Sequence, residues 1–135
     1  MDLTMRTEVF QNEDQSWLRS GHGTDATRSI TLKVSAFTAG THYPNGYFPS
    51  GTAVGLYTSG PNTGLYGPYT AGATDGTQNL AGFVFTATKS PAVNTTNVQA
   101  ALLDRGAVLV SKLPAPWNTA INSTAQATNP RFTYA

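Results

Sequence analysis

At 135 residues, with eight basic and seven acidic side chains, the chain has room for one modest domain and carries a net charge of +1. Only 11% of its residues are charged, too few for the clustered Lys and Arg of a nucleic-acid-binding face. The absence of cysteine excludes disulfides and thiolate metal sites, and no apolar run reaches membrane-spanning length.

Residues 1–28 read as an extended N-terminal arm. They hold Asp2, Arg6, Glu8, Glu13, Asp14, Arg19, Asp25 and Arg28, over half of all the charge, with no sustained period of 2 or 3.6. Two apolar pairs, Val9-Phe10 and Trp17-Leu18, are spaced along this polar segment like separate anchors. Such anchors either fold back onto their own domain or dock on another chain, because a terminal arm orders only when something ties it down. Ser20-Gly21-His22-Gly23 follows as a joint. No apolar signal core lies in residues 1–20, so the product is expected to be soluble and made in the cytoplasm.

Residues 29–135 read as one β-rich domain. In residues 29–37, Ile30, Leu32, Val34 and Ala36 alternate with Thr31, Lys33 and Ser35, the pattern of a strand with one buried face. Residues 38–51 are a chain of turns: Gly40, Pro44, Asn45-Gly46, Pro49 and Gly51 each restrict or free the backbone. Tyr43, Tyr47 and Phe48 sit among these turns, where a solvated loop has no reason to place aromatics, so they pack on the core or on a partner.

Residues 52–58 resume a β-prone run, with Gly55 at a bulge or close contact. Residues 65–69 are short, and Pro68 argues against a central strand. Residues 80–87 (LAGFVFTA) form a nearly continuous apolar run that should cross the core. Residues 97–103 contain helix-favouring Ala and Leu, but Asp104-Arg105-Gly106 and a second apolar run make a hairpin the better reading. Trp117, Ile121 and Ala125 recur every four residues after Pro116, which suits one short helix. Phe132-Thr133-Tyr134 reads as an edge strand.

Catalytic constellations are sparse. Outside the arm only Asp75 and Asp104 are acidic, each beside a glycine turn, where turn chemistry explains them. His22 and His42 belong to no H-x-x-x-H or HExxH pattern, so no metal site is expected. No G-x-S-x-G elbow and no phosphate-cradling glycine loop occurs. A hydrolase reading would rest on His42 and Asp75 alone. Neither catalysis nor a cofactor is expected; the composition points to interaction, an arm adding to a neighbour's sheet and closed oligomers covering the edges of a weakly charged β-domain.

Two blocks carry a resemblance: Trp17-Leu18-x-Ser20-x-His22-Gly23-Thr24-Asp25, and Phe37-Thr38-Ala39-Gly40-Thr41-His42-Tyr43-Pro44-Asn45-Gly46-Tyr47-x-Pro49-Ser50-Gly51. With Tyr66-Gly67-Pro68-Tyr69, Gly82-Phe83-x-Phe85-Thr86, Ala100-Ala101-Leu102-Leu103 and Lys112-Leu113-Pro114, they resemble the head decoration proteins of tailed phages infecting actinobacteria. More distantly, the layout is similar to the lambda-type head decoration protein.

The resemblance implies a mainly β, sandwich- or barrel-like single domain with an extended arm and little helix, and favours strand for residues 97–103. It implies homotrimers on the outer surface of the mature virion capsid that clamp neighbouring major capsid proteins against internal DNA pressure. In that family the arm binds the shell, which here maps onto Val9, Phe10, Trp17, Leu18 and His22. Tyr43, Tyr47 and Phe48 become candidate trimer or capsid contacts. The arm is longer than in the lambda-type protein, and residues past Leu113 do not match it. The competing reading is a virion-surface adhesin or carbohydrate-binding module, with Tyr43, Tyr47, Tyr66 and Tyr69 as a stacking surface.

Overall fold

The alternation after Arg28 does build a strand, β1 (Arg28–Leu32), with Ile30 and Leu32 buried. The computed structural model describes residues 15–19, 27–93, 95–114 and 116–135. β1 is shorter than its sequence pattern, because the chain tightens into a 3-10 turn at Val34–Ala36. Val34 and Phe37, three residues apart, both remain buried on this turn. Burial at 30, 32, 34 and 37 thus merges a period of 2 with a period of 3.

The remaining elements are α1 (Ala39–His42), β2 (Tyr47–Phe48), β3 (Ala53–Leu56), β4 (Tyr66–Pro68), β5 (Gly82–Val84), β6 (Thr88–Lys89), β7 (Val98–Leu103) and β8 (Gly106–Val108). After a 3-10 turn at Val110–Lys112 come α2 (Trp117–Ala120), α3 (Ser123–Ala127) and β9 (Phe132–Tyr134). Five strands close a barrel in the order β1-β4-β3-β5-β7, with β7 returning antiparallel to β1. The protein is a small, mainly β domain built on this barrel, flanked by two-stranded sheets β2–β6 and β8–β9.

Period-2 geometry gives β3, β5 and β7 one face toward each of two cores. Val54, Val84 and Leu102 join Ile30, Leu32 and Tyr66 in one cluster, to which all five barrel strands contribute, so it fills the barrel. Their neighbours Ala53, Phe83 and Leu103 point the other way, into a second core with Val108, Trp117, Ile121, Ala125 and Phe132. Burial on both faces explains why residues 80–87 read as a continuous apolar run although only Gly82–Val84 is strand. The C-terminal segment therefore covers the outside of the barrel wall. Gly55 is a close-packing point: a Cβ there would lie 2.7 Å from the Thr77 Cα.

Pro68 does occupy a strand with neighbours on both sides, contrary to the sequence expectation. It is tolerated because β4 meets β1 at one register position, Leu32 opposite Tyr66, and β1 has ended before Pro68 would need to donate. The expected hairpin of residues 97–111 is also corrected. β7 is a strand but pairs with β1 and β5, whereas β8 pairs in parallel with β9. The expected single helix is two: Asn122 caps α3, its side chain accepting from the Ala125 N–H at 3.1 Å, and that cap breaks the run after Ala120.

The boundary of the arm at residue 28 moves as well. Trp17 is fully buried in the second core, and Leu18 forms an antiparallel bridge with Val108. Around that bridge the Leu109 N–H donates to Trp17 O (2.7 Å) and the Arg19 N–H to Ala107 O (3.0 Å). Residues 15–19 are thus a third strand-like segment beside β8, part of the domain itself.

Candidate interaction groove

The turn-rich segment 38–51 is folded tightly by its own residues. The Gly46 N–H donates to Tyr43 O at 3.2 Å, closing a turn over Pro44-Asn45, and Gly46 takes φ +81°, a conformation that glycine adopts without steric cost. The chain then enters β2, which pairs with β6, and the Ser90 N–H and hydroxyl both donate to Gly46 O at 3.0 Å. Phe48 is fully buried, edge-on to Phe37 (centroids 4.8 Å) and tilted against Tyr43 (4.7 Å).

Phe48 therefore packs on the core, the first of the two alternatives for it, and the contact role that the resemblance suggested for it is corrected. Tyr43 and Tyr47 remain half-buried.

Beyond β2 the segment meets the N-terminal strand. The Trp17 indole Nε1–H donates to Ser50 Oγ (3.1 Å), whose hydroxyl in turn donates to Phe85 O (2.6 Å). Gln15 Nε2 donates to the same carbonyl at 2.7 Å. Gly51 sits at φ +96°, and a Cβ there would lie 2.8 Å from Pro114 Cδ and 3.0 Å from Trp17 Nε1. Trp17, Ser50-Gly51 and Pro114 thus form one packed junction.

Over it opens a groove of about 250 Å³ lined by Pro44, Asn45, Tyr47, Pro49 and Pro114. None of its described lining residues is charged. Its volume is below the roughly 300–1,000 Å³ of small-molecule pockets, so it suits a side chain or two from a protein surface. Of the predicted contacts only Tyr47 lines it. The four other lining residues were legible only as turn formers, and the separation of Pro114 from them in sequence hid the site.

Of the two alternatives for Trp17, folding back or docking on another chain, the structure shows the first: it is a core residue and is not free to bind the shell. Its indole has 150–250 Å² to hide, and Phe83 lies 5.5 Å away, ring to ring. Leu18 is half-buried beside β8. Val9, Phe10 and His22 lie outside the described residues. Tyr66 and Tyr69 are both buried, so the four-tyrosine surface of the carbohydrate reading is not assembled.

His42 and Asp75 serve different local structures. The Thr38 N–H donates to His42 Nδ1 at 2.8 Å, and burial lowers the imidazole below its ordinary value. Asp75 Oδ1 accepts from the Thr77 hydroxyl (2.6 Å) and N–H (3.1 Å), which hold its carboxyl below the usual range. This is an Asx turn. Asp104 lies between Arg28 (3.9 Å) and Arg105 (3.6 Å). Among the described residues no group of three or more His, Cys, Asp or Glu side chains could hold a metal ion, and no helix is long and apolar enough to cross a membrane.

Comparison with protein-family models, curated proteins and solved structures finds no match to the chain.

Proposed function

We propose that the chain is a capsid decoration protein: non-enzymatic, homotrimeric, seated on the outer surface of a phage head and bracing neighbouring major capsid proteins. The observation that carries this reading is the junction of Trp17 with Ser50, Gly51 and Pro114. These residues come from three separate blocks of the resemblance to head decoration proteins, and they pack against one another beside the groove. A resemblance confined to chance turn residues would have no reason to converge in space.

The groove's character supports the same reading. Three prolines make its walls rigid, so little conformational entropy is lost when a neighbouring surface seats there. Each copy needs only moderate affinity, because many copies act together on one lattice.

The oligomer is tested by light scattering of the full chain at several concentrations. A preformed trimer gives three times the 14.2 kDa chain mass, and a strict monomer at every concentration removes the preformed trimer from the proposal.

A further inference from the structure

His42 joins two parts of the molecule that no strand ladder connects. Its ring lies flat on the buried Trp117 of α2, with centroids 5.2 Å apart and planes 11° from parallel. Phe37 also meets it at right angles, with ring centroids 5.6 Å apart. Nδ1 accepts the Thr38 N–H, so the neutral ring carries its proton on Nε2. The imidazole is thereby the clasp between the turn 38–42 and α2. Pro44, two residues after His42, and Pro114, three residues before Trp117, both line the groove.

We infer that His42 is a proton-sensitive latch: protonation of its ring releases the turn 38–42 from Trp117 and loosens the groove wall formed by Pro44, Asn45 and Tyr47. In imidazolium both nitrogens are donors, so Nδ1 can no longer accept from Thr38 and two N–H groups face each other. The half-buried ring must also carry a charge. Stacking of a cation on the Trp117 face opposes this in part. Opening the stack has its own compensation, since the buried Trp117 Nε1–H has no acceptor among the described residues and would reach water.

Among the described residues no other charge stands against the ring. Phe37, Thr38 and the remaining residues of α1 and α2 are not ionisable apart from His42 itself, and Tyr43 is the next ionisable group along the chain. Lys112, on the turn packed against α2, is exposed. Burial is the sole cause of the downward shift of His42, so the folded pKa lies below the unfolded 6.5. The neutral, latched form is complete above that value, and the latch is lost as pH falls through the folded pKa.

The test is an NMR titration of the isotope-labelled full chain from about pH 7.5 to about pH 5, bracketing the ordinary histidine range. The ring signals of His42, the Thr38 amide proton and the cross-peaks between the His42 and Trp117 rings are followed together. The Thr38 amide is expected to move upfield with the midpoint of His42, and the ring–ring cross-peaks to be lost with that same midpoint. His42→Asn keeps an acceptor near Nδ1 without a titrating proton, and its Thr38 amide should stay fixed. The latch is refuted if His42 does not titrate over this range, if it titrates while the Thr38 amide and the ring contacts do not change, or if His42→Asn shows the same acid response. The wild-type titration decides alone if that variant fails to fold.

Discussion

Replacing Trp17 by Ala separates a core residue from an external anchor. The indole is fully buried, packs 5.5 Å from the Phe83 ring and donates to Ser50. About 200 Å² of apolar surface at about 25 cal/mol per Å² gives roughly 5 kcal/mol as an upper figure. Measured Trp or Phe truncations in cores cost about 3–5 kcal/mol, and the lost indole hydrogen bond is contained in that range. Ser50 stays satisfied by donating to Phe85 O, so no orphaned hydroxyl adds to the loss. Against a total of roughly 5–15 kcal/mol for a domain, this is a severe defect. It corresponds to a fall in melting temperature of about 10–20 °C at this chain length. Guanidinium unfolding followed by far-UV circular dichroism measures it without relying on the deleted fluorophore. A loss under about 1 kcal/mol would show that residues 15–19 are not built into the fold, and would return Trp17 to the role of a free anchor.

Deleting residues 1–28 removes Trp17, the whole bridge to β8 and the first residue of β1, so the remainder should fail to melt cooperatively; deleting only residues 1–14 keeps every described contact and should retain a cooperative transition. Gly51→Ala meets both the positive φ and the Pro114 and Trp17 contacts, and should cost about 1–3 kcal/mol by chemical unfolding. Asn122→Ala removes the α3 cap and should cost about 1 kcal/mol in the same assay. Burial pushes the Tyr134 hydroxyl, which donates to Asn129 O at 2.9 Å, up to about 12. The folded state therefore holds this proton longer than the unfolded chain, whose value is 10.0, and stability should fall as pH rises from 10.0 through about 12. Tyr134→Phe should flatten that alkaline decline in a pH series of thermal melts.

Local patterns disclosed most of the strands, because β1, β3, β5, β7 and β9 each write an apolar face into consecutive residues. What the pattern could not carry was pairing. β8 follows β7 after a glycine turn, yet its partners are β9 and the segment 15–19, both far away in sequence. Trp17 illustrates the same limit: an aromatic surrounded by polar residues looks identical whether it docks on its own domain or on another chain. The helix broke where the apolar period continued, since Asn122 offers its side chain to the backbone and begins a new helix. The groove was only partly visible. Tyr47, Pro44 and Pro49 stand together in the sequence, but Pro114 arrives through the Gly51 junction, a contact set by the fold.

The most direct test of the proposed role is co-sedimentation of the full chain with mature heads assembled without it, titrated to saturation. The account requires saturable binding with three copies at each three-fold position of the lattice. Absence of saturable binding to expanded heads would contradict it.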